Sequence, residues 1–567
     1  MSQRTVAENK KRGQTVDDYY DLGPYSRKIT TKSVQAQIWF DRGLNWCYGY
    51  NHEESVSCFK KAAEYDPNAA MAYWGIAYAG GPNYNKQWDA LDEEDLERTL
   101  EQAYGATQSA LSKLAGSSAI ECALIKALSH RYDSPEPVED FDSWNDNYAR
   151  AMRDVYQKYP HDLDVVTLFA EAIMNRTPWA LWELDTGKPA EGANTDEAIE
   201  VLEKALEQMY EAGDARHPGL LHVYIHLMEM SPHPERALRA GDDLRHLVPD
   251  SGHLQHMPTH IDVLCGQYHD VVVSNHRAIV ADRKYLERAG ANNFYSTYRV
   301  HDYHFKLYGA MFLGQQNAAL DAADEMIETL SEDFLRIESP PMADWMEGYV
   351  PMKVHALIRF GRWQELITTA LPEDPELFCV TTAMWHYGKT IAYASRGDID
   401  SAEAEKKLFH QALGRVPETR RLFNNNCREI LGIASKMIAG ELEYRKGNVE
   451  LAFNHLRSAV ELDDNLPYDE PWAWMQPTRH ALGALLLEQG QLEEAEAIYR
   501  ADLGFDNRLK RSCQHPENVW SLHGFHESLR RQGKHDQADM IEPRVKLAVA
   551  RADVPIHASC FCRGIDG

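Results

Sequence analysis

In several segments of this chain a helix-forming stretch ends at a glycine, and an alanine follows five residues later. Another small or apolar residue comes seven after that, and an aspartate or proline closes the unit. The rule is clear at Trp39, Gly43, Phe59, Ala62 and Pro67, at Gly447, Ala452 and Ala459, at Leu482, Gly483, Gly490, Ala495 and Tyr499, and at Gly533 with Ala538. It is weaker at Gly361 and at Gly397 with Ala402. Small residues at these places let two antiparallel helices approach closely, and stacking each pair on the next buries an apolar face that no single pair could bury. The spacing therefore predicts an all-α chain with one continuous helical array over residues 32–550, after a flexible polar lead-in of residues 1–31 and before a tail of residues 551–567. Connections rich in Gly, Pro, Asp or Asn interrupt the array at about 176–195, 283–298, 331–344, 463–471 and 505–517. Insertions of that length often shape or cover a site.

The bulk properties narrow the function classes. A net charge of −28 spread along the chain argues against binding nucleic acid or an anionic membrane through charge. No run of about 18 apolar residues occurs, and the start, MSQRTVAENKKRGQ, lacks the apolar stretch of a secretory signal, so a cytoplasmic protein is expected. The nine cysteines are scattered and odd in number, which reads as reduced, mostly buried thiols rather than a disulfide framework.

Histidine is unevenly placed: twelve of the 25 lie between His217 and His304, where an even spread would put about four. His222 and His256 are one repeat of 34 residues apart, as are His226 and His260, so a two-histidine pair recurs on the first helices of neighbouring repeats in the central segment 215–315. His253 joins the second stripe. A third repeat, set off by an insertion of fourteen residues, puts His301 level with His253, His304 level with His256 and Tyr308 level with His260. Histidines at i and i+4 lie on one helix face a turn apart, which suits two ligands of one metal. His217, His233, His246, His269 and His276 fall at turns or on second helices and read as structural, solvent-facing or at most supporting residues. A groove for acidic peptides would instead carry Lys and Arg, which these stripes lack.

The runs FDRGLNWCYGYNHEESV, MAYWGIAYAGGPN, HVYIHLMEMSPHPERAL, GHLQHMPTHIDVLCGQY and LPYDEPWAWMQPTRHALGALLLEQGQLEEAEAIYRADL resemble a family of tetratricopeptide-repeat proteins from bacteria and fungi, over nearly the whole chain. The resemblance implies a tetratricopeptide-like superhelix of antiparallel helix pairs. It also implies that the second, fifth, ninth and twelfth places of each first helix face the concave groove, and every histidine of the stripes holds one of those places. Glu229 holds the twelfth place of the first stripe. The resemblance carries no activity with it.

The expected metal ligands are thus His222, His226, His253, His256, His260, His301 and His304, with Glu229 and Tyr308 as candidate catalytic residues. Neutral nitrogen donors with few carboxylates favour a transition metal, copper first and zinc or iron after it, over Mg or Ca. Two enzymatic readings follow. In one, two groups of about three histidines hold copper for oxidation of a small organic substrate; in the other, three ligands hold zinc for a hydrolase or lyase, with Glu229 or Tyr308 moving the proton. The histidine surplus and Tyr224, Tyr298, Tyr303 and Tyr308 favour a copper-type oxidoreductase with a small, possibly aromatic substrate. The alternative of a different class is a non-enzymatic scaffold binding a peptide or protein through the groove. Glu171, Asn175, His355, His480, His523 and the tail residues His557, Cys560 and Cys562 are left open as further members of the site.

Overall fold

The computed structural model describes residues 19–506 and 508–563. Helix follows helix along this length, and strand is confined, among the described residues, to two short hairpins, Trp182–Glu183 with Lys188–Pro189 and Arg421–Leu422 with Asn425–Asn426, besides one isolated bridge. The helices stand in the antiparallel pairs of a tetratricopeptide-like array. Examples are Tyr295–Leu313 with Gln316–Thr329, Cys427–Arg445 with Val449–Asp464, Thr478–Glu488 with Leu492–Asp502, and Val519–Arg531 with His535–Val549.

Two features of the spacing rule explain the pairing. Gly447 and Gly490 end the turns inside their pairs at φ of 84° and 74°, a left-handed conformation that costs other residues energy. Elsewhere a missing side chain permits contact: a Cβ at Gly43 or Gly75 would lie 2.7 or 2.5 Å from the ring of Phe59, which fills the space between their helices. Apolar residues from Leu22 to Ile556 form one buried cluster, with a second at the C-terminal pairs.

Both ends differ from expectation. The lead-in was expected to be flexible to residue 31, but Leu22 and Ile29 are buried and Arg27 pairs with Asp162 at 2.8 Å and with Asp164 at 2.5 Å. The Thr30 amide also donates to Glu121 at 2.6 Å. These contacts tie residues 19–31 to the body; residues 1–18 lie outside the described residues. The segment 551–563, expected as a tail, runs back along the array, and residues 564–567 lie outside the described residues. Cys560 and Cys562 are joined by a disulfide, which corrects the expectation for those two thiols and removes them as metal ligands, whereas the other seven cysteines are free. No described helix is long and apolar enough to cross a membrane.

Candidate metal centre

Three neighbouring elements deliver the histidines. The helix Pro218–Met228 carries His222 and His226; its start is fixed by Pro218 and by His217, whose Nδ1 accepts from the Leu220 amide at 3.0 Å. Gly252–His256 and Pro258–Leu264 follow one another with a break at Met257, and carry His253, His256 and His260. The third element, Tyr295–Leu313, carries His301 and His304.

Six of the seven expected ligands gather into two groups of three. His222, His226 and His253 form one and His256, His260 and His301 the other, with one ring nitrogen from each member of a group within 4.8 Å of the rest. In the first group the Nε2 of His222 lies 3.0 Å from that of His226 and 3.2 Å from that of His253. In the second the Nε2 atoms of His256 and His260 are 2.6 Å apart. Two nitrogens bound at 2.0–2.1 Å to one tetrahedral ion lie roughly 3.3–3.4 Å apart.

The surroundings fix which ring nitrogens hold a lone pair. His222 Nδ1 lies 2.7 Å from the carbonyl oxygen of Tyr48, so it must donate and Nε2 is left with its lone pair. His256 Nδ1 lies 2.7 Å from Oδ1 of Asn275, whose amide is oriented by donating to Val271 O at 2.8 Å and to Thr259 Oγ1 at 3.2 Å. His256 Nε2 therefore also presents a lone pair toward its neighbours. His222 Nε2 faces two other imidazole nitrogens with one lone pair, so at most one of them can be satisfied by donating to it. A cation among the three nitrogens would satisfy all of them.

Three carboxylates lie against the histidines, one of them Asp302 of Tyr295–Leu313, whose Oδ1 is 3.3 Å from His256 Nδ1. Glu229, at the end of the Pro218–Met228 helix, places one oxygen 2.9 Å from His226 Nδ1 and the other 2.8 Å from His260 Nδ1, so it joins a member of each group. Glu470, from the 463–471 connection, also contacts His260 and is bonded by the Tyr468 hydroxyl. Among the described residues the ion-pair partners of this couple are imidazoles, not Lys or Arg. Carboxylates bonded to the far nitrogen of a metal-binding imidazole orient the ring and raise its basicity.

The titration behaviour follows from burial. Desolvation lowers His222 to about 3 and His256 to about 4, and it takes His226, His253, His260 and His301 well below the ordinary value near 6.5. All six imidazoles are therefore neutral at physiological pH, as ligands must be. Burial and then the repulsion of Glu470 raise Glu229 well above the usual carboxylate range, and burial lifts Glu470 itself to about 8. The ionised form of this carboxylate pair thus lacks a cationic partner, which a bound cation would supply.

Aromatic rings enclose the centre. The ring of Tyr50, at a φ of 53°, lies 4.4 Å from His222 and stacks on His226 and His253 at 5.7 and 5.4 Å. Phe305 stacks on His260 at 5.0 Å. A cavity of about 520 Å³ opens onto His253, His260 and His301, with Trp179, Tyr298, Phe423 and Trp345 among its walls and Lys86, Asp89 and Arg421 among its other lining residues.

Two expected members lie elsewhere. His304 is buried against Tyr349, 5.1 Å between rings, and neither of its nitrogens has a hydrogen-bond partner among the described residues. Three residues after His301 on the same helix, it projects away from the two groups. Tyr308 donates or accepts at 3.1 Å with His515 Nε2 and packs on Phe312, so it serves another network and not this centre. In that network Asp502 takes His480 Nε2 at 3.0 Å and His515 Nδ1 at 2.8 Å, while Arg359 bonds His480 Nδ1 at 2.8 Å. His355 packs against Trp474. Glu171, lifted by burial to about 7, is bonded by the Tyr78 hydroxyl and shares a small cavity with His222, His52 and Tyr50; Asn175 reaches it at 3.5 Å. Glu470, Tyr50 and Asn275 were not anticipated. The composition of the 463–471 connection marks it as an insertion, but nothing in that composition singles out Glu470 as facing a site formed more than 200 residues earlier.

Gly219 couples this centre to the fold. A Cβ there would lie 2.5 Å from the ring of Tyr48, whose carbonyl holds His222. Gly219→Ala is expected to destabilise the protein by about 1–3 kcal/mol. It should also weaken metal retention, read by thermal melting and by metal content; an unchanged melt would show that Tyr48 has room to move.

No protein-family model matches the chain, and no curated protein does. Among solved structures it is similar to yeast Tom70, at 13% identity and a TM-score of 0.28 over 91% of this chain and 98% of that one. It is similar to the APC/C hetero-tetramer Cut9–Hcn1, at 13% and 0.27 over 97% and 90%, and to Ypp1, at 11% and 0.34 over 99% and 73%. The expectation of a copper-type oxidoreductase is corrected. Its premise was a site with few carboxylates, whereas Glu229 and Glu470 both touch the histidines, and Tyr308, one of the tyrosines that favoured it, is absent from the centre.

Proposed function

We propose that this chain is a non-enzymatic helical-repeat binding protein whose central repeats hold transition-metal ions. One ion is held by His222, His226 and His253 and a second by His256, His260 and His301, with Glu229 and Glu470 orienting the ligands. The observation that carries the reading is the convergence of the Nε2 atoms of His222, His226 and His253 at 3.0–3.2 Å and of His256 and His260 at 2.6 Å, with the opposite nitrogens of His222, His226, His256 and His260 engaged by Tyr48 O, Asn275 Oδ1 and Glu229. Imidazole ligands suit zinc, iron or copper better than the hard cations. The metal organises the inner face of the array, and the groove beside it serves a protein partner.

Elemental analysis of the purified chain after reconstitution tests this. About two transition-metal ions per chain are expected. Fewer than about half an ion per chain, in protein that remains folded, would remove the metal reading and leave only the scaffold.

A further inference from the structure

The C-terminal segment packs in a way that the repeat rule does not require. After the last helix, His535–Val549, residues 553–559 form no helix or strand, yet Ser559 is buried. The segment is held by side chains from the first helices of separate pairs. Arg359, from Met352–Arg359, donates to the carbonyl of Ser559 at 2.8 Å, and Arg445, from Cys427–Arg445, donates to that of Cys562. The Ser559 hydroxyl donates to His480 O at 2.8 Å and lies 2.6 Å from the Tyr499 hydroxyl. Phe561 lies against the backbone at Gly361, where a Cβ would sit 3.0 Å from its ring, and Arg563 pairs with Glu527 at 2.7 Å. Further back, Asp553 accepts the backbone amides of Gln316 and Asn317 at 2.6 and 3.1 Å, which anchors the strap to another pair.

Recognition of main-chain carbonyls by fixed side-chain donors, with separate places for alternate side chains, is how proteins hold an extended peptide. We propose that the first-helix face of the C-terminal repeats is a peptide-binding groove, and that residues 552–563 of this chain fill it in cis. The groove takes an extended segment with a small hydroxyl residue held by Arg359, His480 and Tyr499, and an aromatic residue two positions later over Gly361. An outside peptide of that pattern enters only by displacing the strap. This deepens the scaffold reading and does not depend on the metal.

The test uses the full chain with a protease recognition sequence inserted after Arg551, at an exposed turn. After cleavage the fragment is expected to co-elute with the body. A fluorescent peptide of residues 552–563, with its disulfide closed, should replace it at one per chain, while uncut protein takes up at least about tenfold less. Arg445→Gln in the cut protein should weaken uptake by on the order of tenfold, and so should Phe561→Gly in the peptide. Metal content should not change, which separates this result from the fate of the metal reading. Two results overturn the proposal: a cut body that stays folded but takes up no peptide, or a body that unfolds on cutting even with peptide in excess. The second would make the strap part of the folding core.

Discussion

Replacing both His226 and His260 with alanine should take the chain from about two bound transition-metal ions to essentially none. Each residue belongs to a different group of three, and each is the member whose Nδ1 is held by Glu229. Losing either leaves two imidazoles, one short of the three protein ligands expected for a tight zinc-type site. Because both side chains are buried, alanine also leaves cavities, so the His226→Gln/His260→Gln pair provides a check with similar volume and no imidazole. His304→Ala separates the folded arrangement from the one expected from the repeat register: it should leave metal content unchanged. His269→Ala and His276→Ala should do the same, since both positions are exposed. Metal retained in folded double mutant would remove the ligand assignment.

Glu470→Gln should move two properties in opposite directions. In metal-free protein Glu229 and Glu470 are buried together and repel each other, so amidation of one should stabilise the fold by about 1–2 kcal/mol. Glu470 titrates at about 8 in the fold against an ordinary 4.5. A group raised in this way contributes its stability at low pH and loses it as pH rises through the folded value. The advantage of the variant should therefore be small near pH 5 and largest near pH 8. With metal bound the sign reverses: Gln holds His260 less strongly, and affinity should fall by about 10–100-fold. Thermal melting with and without chelator, at the two pH values, reads both effects. A variant less stable than wild type in chelator would contradict the charge argument.

These expectations rest partly on features legible in the sequence. The Gly and Ala spacing reported the helix pairs because a close approach leaves room for nothing larger, as at Gly43 and Gly75 around Phe59. His222, His226, His256 and His260 were legible because an i,i+4 pair recurring at the repeat period must share a face. The third helix was legible only in part. Register placed both His301 and His304 toward the groove, but the helix after the insertion brings His301 to His256 and His260 and turns His304 to Tyr349. Tyr308 failed for the same reason, being drawn to His515 from the 505–517 connection. Glu470 escaped the copper argument because it arrives from a connection, where no periodicity reports direction. The ends were misjudged because polar composition says nothing of specific partners such as Asp164 for Arg27 or Arg359 for Ser559.

The central claim, that two imidazole groups each hold an ion, is tested most directly by anomalous diffraction from crystals of the reconstituted full chain, collected on either side of the metal's absorption edge. Two anomalous peaks are expected. One should lie about 2.0–2.2 Å from ring nitrogens of His222, His226 and His253, and the other equally close to those of His256, His260 and His301. Crystals of metal-loaded protein with no peak at either group, or with the ion beside His304 and His355 instead, would contradict it.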